Sequence, residues 1–281
     1  MENLVRPADF FDVEDFEHKA LFADVQYVWE ALLNLKTYLA ERLAPNVAHL
    51  GGSMLSKSQV LWNGQILDHG FEIEHGDATK GNLKVFRKGD ELEGASVLHA
   101  GAILFDSNIC IGEGTVVEPG ALIKGPTIIG HNTEIRQGAY VRGNCLIGNG
   151  CVVGHTTEVK TSIMLDGAKA GHFAYIGDSI LGNDVNLGAG TKLANLKIVD
   201  VEMKLRVEGR TYTTGLKKLG AILGDHVETG CNSVTSPGTL LGKASLVYPC
   251  VNVPGGFYPT RSVIGMRTKG VLSIRRRRSG S

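Results

Sequence analysis

A parallel β-helix built almost wholly of short strands is the fold class this sequence predicts, and three observations predict it. The first is a period. Ile111, Val117, Ile123, Ile129, Ile135, Val141, Ile147, Val153, Val159 and Leu165 put a branched aliphatic at every sixth position without a miss. The second is a companion column two residues earlier, where the side chains are small: Thr115, Ala121, Thr127, Thr133, Ala139, Cys145, Cys151 and Thr157. The third is the glycine that often follows the aliphatic, as at Gly112, Gly130, Gly148 and Gly154. An amphipathic helix needs apolar residues three and four apart, and a half-buried strand needs alternation. Neither produces a period of six, which is the mark of a solenoid whose coils each stack an aliphatic on the one before.

The remaining elements follow in order. Residues 1–16 read as an acidic, irregular lead. Residues 17–43 read as one helix, because Leu21, Val25, Val28, Leu32, Leu35 and Leu39 recur at helical steps, and Pro45 cannot continue it. Residues 46–91 read as short extended pieces, with a hairpin at Asn63-Gly64 and a turn at Gly89-Asp90. The whole of 1–91 is expected to cap the solenoid, since an open coil exposes strand edges and apolar surface. The solenoid itself is expected over 92–255. Beyond Leu165 its period resumes at Ile176, Leu181, Leu187 and Leu193, then at Leu223, Thr229, Thr235, Leu241, Val247 and Val253. Between them an insert at about 196–219 alternates as VEMKLRV and turns at Glu208-Gly209, a hairpin thrown out from the coil. Residues 256–281 form a tail whose four consecutive arginines read as a solvated, disordered run.

Bulk composition excludes several function classes. Lys and Arg number 29, as do Asp and Glu, so the net charge is zero. A general nucleic-acid binder needs a cationic excess for phosphate. Five cysteines lie outside any CxxC pair, so no zinc or redox site is indicated. No apolar run has the length of a membrane span, and the acidic start has no signal-peptide pattern. A cytoplasmic protein, bound to neither membrane nor nucleic acid, is expected.

The candidate chemistry lies where the period slips, in residues 153–197. Lys160, Lys169, His172, Tyr175, Asn186 and Asn195 crowd into this stretch. His172 is the group in this cluster whose ordinary pKa lies near neutrality, as suits a general base. Lys160 with Arg142 offers two cations to a phosphate. His131, His155 and His226 read as surface turn residues.

The text KAGHFAYIGD, then LGNDVNLGAGT and an Asn just beyond, resembles the acetyltransferase half of the bacterial bifunctional glucosamine-1-phosphate acetyltransferase / N-acetylglucosamine-1-phosphate uridylyltransferase. The resemblance spans about residues 111–255. It implies a left-handed β-helix with three hexads per coil, assembled as a homotrimer. It implies acetyl-CoA as donor, an amino sugar phosphate as acceptor and no metal. It assigns His172 as catalytic base, Arg142, Lys160, Tyr175, Asn186 and Asn195 to the sugar phosphate, and Ala189, Cys231 and Lys218 to the acyl-CoA, with Cys231 replacing a serine. The sequence departs from the family in a leucine after Asn195, in a longer insert, and in Arg136 as a second candidate cation. It also lacks the glycine-rich start of the uridylyltransferase half, so nucleotidyl transfer is not expected. The expected function is acyl-CoA-dependent N-acyl transfer. The alternatives are O-acyl transfer to a sugar hydroxyl, a non-catalytic regulatory β-helix, and nucleotidyl transfer.

Overall fold

The computed structural model describes residues 5–198 and 202–266, together with the backbone of Leu272–Arg276. The chain folds as a mainly β, left-handed parallel β-helix. Each coil has three strands. In the first coil, Ser96–Leu98 lies on face one, Ile103–Leu104 on face two and Ile109–Ile111 on face three, before the chain returns to face one at Val116–Val117. Strands stack in parallel register from coil to coil, so a residue's position in its coil fixes its column. Tyr140, Glu158, Tyr175 and Lys192 are neighbours on face two, while Ile128, Leu146, Ile163 and Ile180 are neighbours on face three.

The inward column is the predicted aliphatic one, with a correction at its end. Ile147 pairs with Met164, not Leu165, and Val153 pairs with Ala170. The coil is one residue shorter here. In extended chain a one-residue slip turns every side chain to the other side. Met164 therefore fills the interior, and Leu165 is buried in the apolar layer outside face three. The small column behaves as read: Thr115, Thr127, Thr133 and Thr157 are fully buried, and each hydroxyl donates to a backbone carbonyl. Cys145 and Cys151 belong to the same column, and burial pushes both thiols up to about 12.

The solenoid runs past the expected limit of 255. Gly256–Tyr258 and Ser262–Met266 pair in parallel with the preceding coil, and Leu272–Arg276 adds an antiparallel strand. The arginine run expected to be disordered thus begins inside a strand, with Arg275 opposite Val263; Arg277 and Arg278 lie outside the described residues.

The expectations for residues 1–91 divide. The open end of the first coil is closed by the second part alone. Ser53–Met54 pairs antiparallel with Ile103–Leu104, Gln59–Trp62 pairs antiparallel with Ser96–Leu98, and Val47, Leu55 and Leu61 enter the coil interior. Asn63 and Gly64 take φ of 47° and 71°, the two-residue hairpin geometry. The second turn is centred one residue earlier than read, on Lys88-Gly89, which leaves Arg87 opposite Asp90.

The first part does not cap an end; it lies along face three. The single helix expected over 17–43 is a 3-10 turn at Lys19–Phe22 and a helix at Glu30–Arg42, and a short helix, Pro7–Phe10, occupies the lead expected to be irregular. The Glu30 carboxylate accepts the backbone N–H groups of Gln26 and Tyr27 at 2.7 and 2.9 Å, which ties the first residue of the helix to the turn before it. Phe10, Trp29, Leu32, Leu35 and Leu39 pack on Leu146, Ile163, Ile180 and Ile222. The hairpin Lys204–Val207 and Arg210–Thr213 completes this layer. Its Met203, Leu205 and Val207 are buried, and its Tyr212 stands edge-on to Tyr27 and Trp29 at 5.3 and 5.8 Å.

Candidate active site

Two edges of face two carry the predicted residues. At the edge between faces one and two, successive coils stack the backbones of His155, His172, Ala189 and Cys231. Phe173 N–H donates to His155 O, Gly190 N–H to His172 O, Asn232 N–H to Ala189 O and Cys250 N–H to Cys231 O, all at 2.8–2.9 Å. His172 is exposed at the end of its strand, directly above His155. Among the described residues its imidazole takes no hydrogen bond; its ring contact is with Phe173, at 6.3 Å. Phe173 itself is 56% exposed and has φ of 52°, a left-handed conformation that a bulky side chain rarely adopts. Its ring meets that of His155 edge-on at 5.3 Å.

Beside this edge, on face one, runs a strip without side chains: Gly154, Gly171, Gly188 and Gly230 follow the inward residues Val153, Ala170, Leu187 and Thr229. A Cβ at Gly154 collides with the backbone of Gly171, so close coil approach demands glycine there. At a strand spacing of about 4.8 Å the strip is about 14 Å long.

The other edge, between faces two and three, gathers charge. Lys160 Nζ lies 3.0 Å from Asp178 Oδ2, with the two side chains 23% and 13% exposed. The Asn195 amide donates to the same Asp178 oxygen, and the Tyr175 hydroxyl donates to Asn195 Oδ1 at 3.3 Å. One coil earlier, Arg142 Nη1 lies 2.7 Å from Glu158 Oε1, and that hydrogen bond raises the arginine's pKa still further. Extended chain spans about 3.3 Å per residue, so the five steps from His172 to Gly177 place the two edges at most about 17 Å apart.

Sequence reasoning had these residues as one cluster; within one chain they separate. Tyr175, Lys160 and Asn195 come together, with Arg142 one coil away. His172, Ala189 and Cys231 share the other edge. Asn186 does not join either group: it is exposed on face one, between Lys169 and Glu228. Lys218 does not reach Ala189 and Cys231. It is exposed beside Leu219, whose N–H donates to Asn195 O at 3.2 Å where the insert rejoins the coil. Asn195 bonds to Asp178 and Tyr175, at the opposite edge from His172. Arg136 is held by Glu134 at 2.6 Å, and Glu134 also accepts the Ala78 N–H, so this second cation anchors the end-closing segment. Sequence reasoning missed two residues. Asp178 lies inside the quoted YIGD text, but its charge pairing depends on a residue one coil away. His155, read as a surface turn residue, is the direct neighbour of His172. Among the described residues no group of His, Cys, Asp and Glu is arranged to hold a metal ion, and no helix is long and apolar enough to cross a membrane.

Comparison with known proteins agrees with the resemblance. Residues 123–257 match the family model described as the GMPPB C-terminal domain. A bifunctional sugar-1-phosphate nucleotidylyltransferase/acetyltransferase of Sulfurisphaera tokodaii is 45% identical over 92 residues, 33% of this chain and 23% of that protein. A bifunctional protein GlmU of Methanococcus vannielii is 38% identical over 91 residues, 32% of this chain and 22% of that protein. The match thus spans less than a quarter of the length of these curated relatives. Among solved structures, the UDP-N-acetylglucosamine acyltransferase of Francisella novicida overlaps 63% of this chain and 65% of its own, at 15% identity and a TM-score of 0.29.

Proposed function

We propose that this chain is an acyl-CoA-dependent N-acyltransferase, with acetyl-CoA as donor and an amino sugar phosphate as acceptor. The observation that carries the reading is His172: an exposed imidazole with no hydrogen bond among the described residues, beside a side-chain-free strip, in line with Ala189 and Cys231. The strip suits an extended pantetheine arm, which brings the thioester to His172. The amine nitrogen attacks the thioester carbonyl as His172 accepts its proton, backbone N–H groups at the coil edge hold the developing oxyanion, and the CoA thiolate leaves and is protonated. Arg142 and Lys160 exchange their carboxylate partners for the acceptor's phosphate, and Tyr175 and Asn195 hold the sugar. Asn186, on face one, and Lys218, beside Leu219 where the insert rejoins the coil, both lie away from Ala189 and Cys231. In this reading they serve the site of a neighbouring copy, so the working form is a homotrimer, a cytoplasmic enzyme without metal.

The experiment is release of free thiol from acetyl-CoA against a panel of amino sugars and their phosphates, with the product linkage determined. An amide product supports N-acylation, and an ester product moves the reading to O-acyl transfer. No thiol release with any acceptor overturns it. Light scattering is expected to return three times the chain mass, and a monomer at micromolar protein removes the shared-site argument.

A further inference from the structure

The site's cations are the last members of a longer column. Phe105, Lys124, Arg142 and Lys160 occupy the same place in four successive coils of face two. Phe105 N–H donates to Ile123 O, Lys124 N–H to Val141 O and Arg142 N–H to Val159 O, each at 2.8 Å. Arg142 and Lys160 each have a carboxylate, Glu158 and Asp178. Lys124 has none among the described residues. Its ammonium instead lies 4.4 Å from the centroid of the Phe105 ring and 5.5 Å from that of Tyr140. The Arg142 guanidinium lies 5.7 Å from the other neighbour of this step, again the Tyr140 ring. Phe105, at the end of the column, is 54% exposed.

This step differs from the charge pairs beside it. A cation balanced by a carboxylate must give up that partner to take a phosphate. Among the described residues Lys124 is held by ring faces, which leave an ammonium's net charge uncancelled. It stands one coil from Arg142, about 4.8 Å along the stack. An exposed aromatic ring on a rigid strand end offers a stacking face for a planar base.

We infer that face two holds a second acceptor subsite, in which Lys124 takes a further phosphate and Phe105 takes a nucleobase, so that the preferred acceptor is a nucleoside-diphosphate-linked amino sugar. The inference rests on the acyltransferase reading above, and it extends the acceptor from the sugar phosphate toward the first coils. The sugar lies at Tyr175 and Asn195, the first phosphate at Lys160 and Arg142, the second between Arg142 and Lys124, and the base beyond. No base-specific hydrogen bond is assigned, so the stacking tolerates several bases.

Titration calorimetry of the full chain with UDP, dTDP and GDP, without acyl donor, tests it. At least one diphosphate is expected to bind about tenfold or more tightly than its monophosphate. Lys124→Ala and Lys124→Gln should both erase that advantage, and Phe105→Ala should weaken binding by about tenfold, the lower range for loss of one stacked base. Both positions are on the coil surface, and unchanged melting curves verify the fold. In thiol release, kcat/KM for a nucleotide-linked amino sugar should exceed that for the corresponding sugar 1-phosphate, and Lys124→Ala should lower only the former. No binding of any diphosphate at about 1 mM, which is weaker than about −4 kcal/mol, overturns the inference. So does binding that ignores all three substitutions. Diphosphate binding without any thiol release brings down the acyltransferase reading and leaves the subsite standing. Thiol release from simple sugar phosphates without nucleotide binding does the reverse.

Discussion

Faces two and three are built from the same coil, in the same register, and differ in what stands outside. On face three the outward column is Ile128, Leu146, Ile163, Ile180, Ile222 and Leu240, and an N-terminal segment and a hairpin bury it. On face two the outward column is Tyr140, Glu158, Tyr175 and Lys192, and among the described residues no segment covers it. The inward aliphatics hold the coil together in both places. The outer residues, which stability of the coil leaves free, decide whether a face is clad or does chemistry. Face three resembles the inside of a second, thinner domain. Face two keeps polar groups in water, where a ligand can replace that water.

The largest expected effect lies at the edge of face two. His172→Ala should lower kcat by about 10²–10⁴-fold, the range for loss of a general base, with little change in KM. Its melting temperature should match the parent, because the side chain is exposed and has no hydrogen bond among the described residues. Steady-state kinetics on the best acceptor decide this, and a variant that keeps most of its kcat breaks the assignment of chemistry to this edge.

Face three should answer in the opposite currency. Trp29 is 1% exposed and stacks on Tyr27 at 4.9 Å. Trp29→Ala should cost about 3–5 kcal/mol of stability in denaturant titration, the range for truncating a buried aromatic. Well below its melting temperature, kcat should stay within about twofold of the parent. A folded Trp29→Ala protein without activity shows that the cladding reaches the site, and the contrast between faces fails.

A smaller effect sharpens the division within face two. Arg142→Ala and Lys160→Ala should each raise KM for a phosphorylated acceptor by about tenfold, the loss of one charge-assisted hydrogen bond, and leave an unphosphorylated acceptor unchanged. Lys160→Ala should also lower stability slightly, since it leaves the mostly buried Asp178 with the Asn195 amide but without its counter-charge. Equal losses on both acceptors separate these cations from phosphate binding.

The smallest expected effect is a pH dependence on the clad side. His18, between the N-terminal segment and the solenoid, is hydrogen-bonded to the Tyr38 hydroxyl at 3.0 Å. Burial lowers its pKa from 6.5, against the raising influence of Glu17 and Asp166, while Arg42 lowers it further. The unfolded chain then binds the proton first as pH falls, so this contribution to stability is present above 6.5 and is lost below it. Asp166, whose carboxyl burial pushes up from 3.8, acts with the opposite sign and in the more acidic range near that value. Melting temperature should fall between about pH 8 and pH 5.5, and His18→Gln should flatten the slope. A slope unchanged in His18→Gln assigns the dependence elsewhere.

The period of six, and the small column beside it, were enough to set the coil, its interior and the stacking of consecutive turns. Each coil satisfies its backbone hydrogen bonds with the next, so a purely local repeat determines a regular structure. The hairpin turns at Asn63-Gly64 and Glu208-Gly209 were legible for the same reason, since left-handed backbone favours Asn63, Gly64 and Gly209, and Glu208 is carried into it beside its glycine. The site was legible residue by residue but not as geometry. His172, Ala189 and Cys231 share an edge because their positions in the coil coincide, and a count made across the one-residue slip near Met164 loses that coincidence. Asp178 became a site residue only because stacking carried it to Lys160. The N-terminal segment shows the limit most clearly. Its helical spacing and aromatic content were visible, and the end of the solenoid was the expected docking place. Only the assembled structure showed that face three turns a continuous aliphatic column outward. Burying that column is the larger hydrophobic gain, and it broke the predicted helix at Glu30 so that Tyr27 and Trp29 could reach Tyr212.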